Sequence, residues 1–282
     1  MKIVSKVNNG PVLLCPDIFK DDRGYFYESF NDKFFRENVC DATFVQDNQS
    51  CSSYGVIRGM HFQKGEHAQA KLVSVLCGAV LDVVLDIRSD SENYGKFYSY
   101  LLTENNHYQL FVPKGFAHGF VSLTNNTVFQ YKCDNLYNKE SEGSYRYDSF
   151  GFDWTQYINE KDMLLSPKDL EAPKFDNSKV TIDIPKVKLF DLLLLEDCRA
   201  NNGPVMQETH RLSEDIYADI QFMDGQKCSV KVDAIGPYYS VGFFDSMGGG
   251  SRRFFCTRLD TKERMVLSPN LNEVVRFYKY ED

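Results

Sequence analysis

Several features that mark common protein classes are missing from this sequence. Its eight cysteines include no C-x-x-C pair, so the sequence gives no support for a zinc finger or a thioredoxin-like redox site. No apolar run approaches the ~20 residues of a membrane-spanning helix, and residues 1–10 lack the apolar core of a secretory signal. We therefore expect a cytoplasmic protein with reduced thiols and no membrane segment.

The chain also has no excess of positive charge. The chain has 32 Lys and Arg against 40 Asp and Glu, a net charge of −8, whereas nucleic-acid binding needs clustered cations. There is no Walker loop and no G-x-G-x-x-G motif, and the glycine run at 248–250 is interpreted as a flexible turn. A small phosphorylated molecule held by two or three local cations is still compatible with this charge.

Long helical periodicities are scarce. The best short helix spans 31–38, where Asn31 is expected to cap the helix and Phe34 and Phe35 to pack inward. Most other segments alternate with period two and are separated by turns rich in Gly, Pro and Asn, a pattern typical of a β-sandwich or barrel. We predict an all-β protein with strands at 73–76, 81–87, 108–112, 120–123 and 127–133.

A connecting segment is predicted near residues 173–187, where Pro173, Pro185 and polar residues interrupt the strand pattern. About 95 residues follow, enough for a small domain. Candidate strands in this part lie at 187–196, 216–223, 228–234, 239–244, 253–259 and 273–280. We therefore predict two domains, 1–184 and 185–282, of which the second is smaller and rich in strands.

The chain has only five histidines, which makes each a candidate for chemistry. His61 shares a predicted strand with Arg58 and points to the same face as Gln63, because residues two apart share a strand face. A strand histidine inside a barrel serves either as a proton-transfer group or as a hydrogen-bonded core residue. Lys71 begins another predicted strand. If its side chain points inward, the buried charge needs an anion as a partner; if it points outward, the charge is solvated.

Four further residues have side chains suited to acid–base work or to anion binding. His118 follows a Pro-x-Gly turn and enters a strand. Tyr131 is either a proton donor in a pocket or amphipathic packing on its strand, and Asp169 either orients a histidine or is solvated in a loop. Arg23 at a turn and Arg58 on a strand together offer bidentate contacts to a diphosphate.

The segments that carry these residues occur in a fixed order over roughly the first 173 residues. They include DRGYFYESF at 22–30, QDNQS at 46–50, RGMHFQ at 58–63, QAKLV at 69–73 and PKGFAHGF at 113–120. Others lie at 82–88, 129–143, 152–154 and 165–169. This ordered set resembles the dTDP-4-dehydrorhamnose 3,5-epimerase family, cupin-type β-barrel enzymes of deoxysugar-nucleotide synthesis. One such motif is weakly specific, whereas the ordered series is highly specific.

The resemblance implies a fold, a reaction and roles for named residues. It implies a cupin-type jelly-roll barrel that uses no metal or other cofactor, forms a homodimer and epimerises a dTDP-linked 4-keto-6-deoxy sugar at C3, C5 or both. It makes His61 the base, Tyr131 the opposing acid, Asp169 the group that orients His61, and Lys71 the group that stabilises an enolate oxygen. The substrate-binding positions that it implies are Arg23, Glu28, Gln46, Asn48, Arg58, His118, Glu142 and Lys168.

Two other functions stay open on the sequence. In a metal-dependent cupin, His61 and His118 fall near ligand positions, but Gln63 stands where such sites usually have a second histidine. In a non-catalytic scaffold, the barrel binds a nucleotide sugar without turning it over. Residues 186–282 match nothing in the family. We predict that they form an interaction or oligomer-stabilising module rather than a second activity, since His210 is their only histidine.

Overall fold

The chain divides into two units, Met1–Pro185 and Lys186–Asp282, in the computed structural model. The structure describes residues 1–156, 158–176, 210–221, 227–236, 253–262, 264–267 and 273–278. The predicted strands at 187–196 and 239–244 and the glycine run at 248–250 lie outside these described residues. Within the described ranges, no helix has the length and apolar character that crossing a bilayer requires.

Strands make up most of the first unit, with short helices between them. The strands are β1 (Lys2–Lys6), β2 (Val12–Cys15), β3 (Phe19–Asp21), β4 (Gly24–Phe26), β5 (Gln46–Ser52), β6 (Ile57–Gln63), β7 (Lys71–Cys77), β8 (Ala79–Asp86), β9 (Phe97–Thr103), β10 (Gln109–Val112), β11 (Phe116–Ser122), β12 (Thr127–Cys133) and β13 (Glu142–Ser144). The helices are α1 (Asp32–Asn38) and α2 (Pro167–Leu170), with 3-10 turns at Gly65–His67, Trp154–Gln156 and Glu160–Asp162.

Two antiparallel sheets pack face to face in this unit. One has six strands in the order β1-β2-β10-β7-β12-β5, the other has five in the order β13-β6-β11-β8-β9, and β3 and β4 form a separate hairpin. Val73 and Phe129 of the first sheet meet Val84 and Phe120 of the second in one buried cluster, which is the core between the sheets. The predicted all-β jelly-roll architecture is confirmed.

The six-stranded sheet also has a covered outer face. Because successive strand residues alternate between faces, Leu72 and Phe111 point away from the core between the sheets and pack against Phe35 of α1. The Asn31 side chain caps α1 by accepting a hydrogen bond from the N–H of Phe34 at 2.9 Å. The predicted helix and its cap are confirmed.

In its described part, the second unit is one five-stranded antiparallel sheet in the order β17-β16-β15-β14-β18. Its strands are β14 (His210–Gln221), β15 (Lys227–Gly236), β16 (Arg253–Arg258), β17 (Arg264–Leu267) and β18 (Glu273–Tyr278). Ile216, Val230, Val232 and Cys256 are buried. The prediction that this region is rich in strands is confirmed.

Candidate active site

A cavity of about 490 Å³ opens between the two sheets of the first unit. Sites for small molecules commonly measure ~300–1,000 Å³. The five-stranded sheet contributes Arg58 and His61 from β6 and His118 from β11, while the six-stranded sheet contributes Lys71 from β7 and Tyr131 from β12. Residues between 164 and 169, just before and within α2, line a third side. The cavity therefore collects acid–base groups from facing walls.

The His61 ring contacts a carboxylate that comes much later in the sequence of the first unit. Its Nε2 lies 2.6 Å from Oδ1 of Asp169, 108 positions later in the chain. Ser166 caps α2 and fixes Asp169: its hydroxyl accepts from the Asp169 N–H at 3.2 Å and donates to Asp169 Oδ2 at 2.8 Å. Both oxygens of Asp169 are thus engaged, which fixes the orientation of the His61 ring.

Asp169 keeps its negative charge although its side chain is only 6% exposed. Burial alone raises the pKa of this carboxyl, but the hydrogen bond and charge of His61, the Ser166 hydroxyl and the charge of Lys168 outweigh burial and lower the pKa of Asp169 below its ordinary value. An ionised carboxylate in this place stabilises the imidazolium that forms when His61 takes up a proton.

Two glycines let β6 and β11 approach closely beside His61. Gly59 has φ +134°, which side-chain-bearing L-residues rarely adopt. A Cβ at Gly59 would lie 2.4 Å from Cα of Gly119 and 2.8 Å from the carbonyl oxygen of His118. The absence of both side chains permits the pairing in which His61 stands directly opposite His118. The two imidazoles are consequently neighbours on one wall of the cavity.

Lys71 and Tyr131 lie side by side on the facing wall. The Lys71 Nζ is 5.7 Å from the centre of the Tyr131 ring. Burial raises the pKa of the Tyr131 hydroxyl, so this side chain is a phenol at neutral pH. Burial lowers the pKa of the Lys71 ammonium, and the neighbouring Cys133 and Asp82 oppose that change. This wall therefore offers a neutral proton donor beside an amine that releases its proton more readily than a surface lysine.

A second histidine–carboxylate pair lies beside the first. Nε2 of His118 is 2.9 and 3.1 Å from the two carboxylate oxygens of Asp82, which lies on the adjacent strand β8. The His118 side chain is 7% exposed and that of Asp82 is 0% exposed. Among the described residues, no hydrogen-bond partner joins Nδ1 of His118, so this nitrogen is available to a ligand in the cavity.

Two predicted binding cations reach the cavity. Arg58 lines it and donates from Nε to the Ser52 hydroxyl at 3.2 Å. Lys168 lines it and donates to Oε1 of Glu142 at 2.6 Å, while the Tyr137 hydroxyl donates to Oε2 of Glu142 at 3.2 Å. The hydrogen bond from Lys168 is the main cause of the lowered pKa of Glu142. Glu142 is thus tied to the cavity rim through Lys168 without lining the cavity itself.

Gln46 and Asn48 lie on β5, next to the strand of Tyr131. Asn48 pairs with Tyr131 in the β5–β12 register, and its amide donates to Sγ of Cys133 at 3.8 Å. The Gln46 amide donates to Oδ1 of Asn48 at 3.1 Å, and Oε1 of Gln46 accepts from the N–H of Tyr137 at 3.0 Å. These two amides form a polar margin beside the cavity.

Arg23 and Glu28 are not brought to the cavity. Arg23 lies at the turn of the β3–β4 hairpin with its side chain 90% exposed, and its guanidinium contacts Asp21 at 3.1 and 2.5 Å. It lines a separate surface hollow formed by the hairpin. Glu28 follows the hairpin and accepts from the Asn31 amide at 2.9 Å. Their proposed contact with a substrate stays a prediction.

A metal-dependent cupin needs a cluster of metal-ligating side chains. In the ranges that the structure describes, no group of three or more His, Cys, Asp or Glu side chains is arranged to hold a metal ion. Each of His61 and His118 instead uses its Nε2 to contact a carboxylate of its own. These residues form two separate hydrogen-bonded pairs.

Comparison with known proteins identifies the family of the first unit. A family model described as dTDP-4-dehydrorhamnose 3,5-epimerase matches residues 7–177. The chain belongs to this family. A family member from Escherichia coli (strain K12) is 45% identical over 172 residues, which cover 60% of this chain and 91% of that protein. Residues 186–282 lie beyond the part matched by the family model.

Solved structures of the family agree with the fold. The crystal structure of dTDP-4-dehydrorhamnose 3,5-epimerase from Elizabethkingia anophelis NUHP1 is 53% identical, has a TM-score of 0.59 and covers 63% of this chain and 97% of its own. The epimerase from Legionella pneumophila Philadelphia 1, solved in complex with dTDP-4-keto-L-rhamnose, is 39% identical with a TM-score of 0.58 and covers 64% and 94%. The resemblance inferred from the sequence is confirmed.

Two residues that shape the epimerase-family site were not singled out from the sequence. Strand alternation assigned Asp82 to a strand but gave it no role in the site. The signal that could have identified it is an acidic residue in a mostly apolar strand, between Leu81 and Val83. Ser166 precedes Pro167 and lies three residues before Asp169, a spacing typical of a helix N-cap. Each of the two acts by fixing a side chain that the sequence analysis had selected.

Proposed function

We propose that this chain is an epimerase that converts dTDP-4-dehydro-6-deoxy-D-glucose to dTDP-4-dehydro-L-rhamnose. One observation carries the proposal: the paired His61 and Asp169 share a single cavity with Tyr131 and Lys71, which come from the facing sheet. Membership of the epimerase family and the sugar nucleotide bound to the Legionella relative support the substrate class. The proposal includes the residue roles that follow.

His61 is the base. A ketone at C4 acidifies the hydrogens on C3 and C5, because the electron pair left by proton removal delocalises onto the ketone oxygen as an enolate. The ring nitrogen of His61 that does not contact Asp169 accepts the proton, and the ionised Asp169 stabilises the resulting imidazolium. A positioned base of this kind commonly contributes ~10²–10⁴-fold to the rate.

Lys71 stabilises the enolate. Its ammonium lies in a half-buried position on the wall opposite His61, where electrostatic interactions are less screened than in water. A positive charge near the C4 oxygen favours the enolate over the ketone, since negative charge develops on that oxygen during proton removal. The lowered pKa of Lys71 also makes it a better hydrogen-bond donor to that oxygen.

Tyr131 returns a proton from the opposite face. Its hydroxyl donates a proton to the same carbon that lost one to His61, so that the configuration inverts and the enolate becomes a ketone again. The reaction leaves an imidazolium and a phenolate, and proton exchange with water restores both. The facing positions of the two side chains on different sheets support this division of roles.

The remaining predicted residues bind the nucleotide sugar. Arg58 and Lys168 line the cavity and supply nitrogen donors suited to the oxygens of a diphosphate, and His118 lines the cavity with them. Gln46, Asn48 and Glu142 lie at its margin, as described above. Arg23 and Glu28 complete the proposed set from the β3–β4 hairpin and the residues that follow it.

The proposed assembly is a homodimer. The hairpin exposes Phe19 (65%), Tyr25 (58%) and Phe26 (71%), and every residue of the edge strand β1 is exposed. Exposed aromatics and an open strand edge are features that a second copy of the chain would cover. Sedimentation equilibrium is expected to give the mass of two chains, and the mass of one chain would contradict this part of the proposal.

Residues 186–282 have the proposed role of an interaction module. The family match ends at residue 177, within the first unit, which leaves the second unit outside the epimerase part. A chain that ends at residue 185 is expected to keep its turnover and to change its assembly state. Loss of turnover by a folded truncated chain would instead assign this region to the reaction. The cytoplasmic location expected from the sequence stays a prediction.

Solvent exchange tests the reaction itself. In D2O, the protein is expected to introduce deuterium at C3 and C5 of dTDP-4-dehydro-6-deoxy-D-glucose and to form the L-rhamno product, both followed by ¹H NMR. Product stereochemistry reports whether one carbon or both are inverted. Binding without exchange would support the scaffold hypothesis. Exchange that is lost after chelation and restored by a metal ion would support the metal-dependent cupin hypothesis.

A further inference from the structure

One buried carboxylate in this region has no part in the proton transfers proposed above. The Asp82 side chain is 0% exposed, and its strand neighbours Leu81 and Val83 are buried as well. Burying an ionised carboxylate is unfavourable unless other groups compensate its charge. The groups that Asp82 contacts or influences are therefore informative about its role.

His118 is the first of these groups. Both oxygens of Asp82 accept from Nε2 of His118, at 2.9 and 3.1 Å. This contact fixes which ring nitrogen points into the protein and leaves Nδ1 for a ligand. The β6–β11 register sets His118 directly opposite His61. Asp82 thus determines the orientation of the imidazole next to the proposed base.

Lys71 is the second group. Burial lowers the pKa of its ammonium, and the neighbouring Cys133 and Asp82 act in the opposite direction. The strands around it carry Tyr131 and Cys133 on β12, Asp82 on β8 and His118 on β11. Farther round the cavity are Arg58 and His61 on β6, and Lys168 and Asp169 on α2. Asp169 contacts His61 and Glu142 contacts Lys168, whereas Asp82 contacts His118 and is a carboxylate whose charge raises the pKa of Lys71.

We propose that Asp82 is a positioning residue for the epimerase reaction, which holds the His118 ring in one orientation and supplies a negative charge near the Lys71 amine. The inference rests on the proposed function. Asp82 touches no reacting atom in this account and acts through the two side chains. It links two walls of the cavity, because His118 belongs to the five-stranded sheet and Lys71 to the six-stranded sheet.

The test is the pH dependence of kcat in Asp82→Asn. Activity falls at high pH when Lys71 loses its proton; burial lowers the pKa of Lys71 and raises the pKa of Tyr131. Removal of a nearby opposite charge is expected to move the alkaline limb to lower pH by about one unit. Above the limb, the variant is then about tenfold slower than the wild type at the same pH.

Asp86→Asn is the matched control. Asp86 lies on the same strand and is equally buried, but it contacts Arg88 and Ser91 rather than His118, and it is not among the groups that shift the pKa of Lys71. This variant is expected to lose stability in thermal unfolding without moving the alkaline limb. Equal movement of the limb in both variants would overturn the proposal, as would an unmoved limb in folded Asp82→Asn.

Asp82→Ser gives the same test if the Asn variant does not fold, since it removes the charge and leaves room for water. If neither variant folds, Asp82 is a stability residue and the proposal is overturned. Wild-type activity separates this inference from the proposed function. An inactive wild type contradicts the function, whereas an active wild type with an unmoved limb in Asp82→Asn contradicts only the role of Asp82.

Discussion

Replacing Asp169 with Asn removes the charge that supports His61 while keeping the size of the side chain. The contact affected is the 2.6 Å approach of His61 Nε2 to Asp169 Oδ1, in a place where the Asp169 side chain is 6% exposed. Hydrogen bonds to charged groups contribute about 1.5–3 kcal/mol. We expect this free energy to be lost mainly in the transition state, because His61 becomes positively charged there.

The loss corresponds to a fall in kcat of roughly 10- to 160-fold, since 1.36 kcal/mol is a factor of ten. The assay is the rate of deuterium uptake from D2O into dTDP-4-dehydro-6-deoxy-D-glucose, followed by ¹H NMR at saturating substrate. Ser166→Ala removes the hydroxyl that donates to the same carboxylate, but it leaves the charge of Asp169 and its contact with His61 in place. Its expected cost of about 1 kcal/mol gives a smaller fall, roughly fivefold.

A matched control is Asp47→Asn, which also removes one carboxylate. Asp47 is 53% exposed in its side chain and contacts Lys132 at 3.0 Å, away from the cavity. Its rate of deuterium uptake is expected to equal that of the wild type. A folded Asp169→Asn protein within twofold of the wild type would refute the argument that this pair is the base.

Further tests concern Tyr131, Gly59 and the charge of Asp169. Tyr131→Phe is expected to keep proton exchange by His61 while losing inversion, so NMR would detect deuterium in unchanged substrate; normal formation of the inverted product contradicts the acid assignment. Gly59→Ala is expected to destabilise the protein by about 1–3 kcal/mol in urea unfolding, because of its φ of +134° and the contact of a Cβ with Gly119; an unchanged midpoint contradicts the close approach. Because the pKa of Asp169 is lowered in the folded state, its charge adds stability at pH values above about 4, and this stability is lost as pH falls through the folded-state pKa. The free energy of urea unfolding, measured from pH 7 to 3, should therefore depend less on pH in Asp169→Asn than in the wild type. An identical pH dependence in both proteins contradicts the lowered pKa.

Strands with an apolar face were predictable from the sequence, and polar strands were not. The alternation at 81–87 and 127–133 indicated β8 and β12, because one face of each must be apolar to pack in the core. β5 has the sequence QDNQSCS, which carries no hydrophobic period. It forms a strand because its backbone pairs with β12 along its whole length, and local sequence does not specify such a long-range partner.

The site shows the same division between local and long-range information. The sequence selected His61 and Asp169 through motifs, but their 2.6 Å contact depends on α2 returning to β6 after 108 residues. Strand alternation alone did not reveal that Asp82 contacts His118, since that contact requires the β8–β11 pairing. Arg23 shows the opposite case: its motif is clear, yet the fold of a single chain leaves it on an exposed hairpin.

The central claim is that a sugar ring lies between His61 and Tyr131. A crystal structure of the protein with a bound dTDP-linked 4-dehydro sugar measures this directly. We expect C3 or C5 to lie about 3–3.5 Å from a His61 ring nitrogen on one face of the ring, with the Tyr131 hydroxyl on the other face and the Lys71 amine beside the C4 oxygen. A sugar bound outside the cavity, or both side chains on the same face of the ring, would contradict the account.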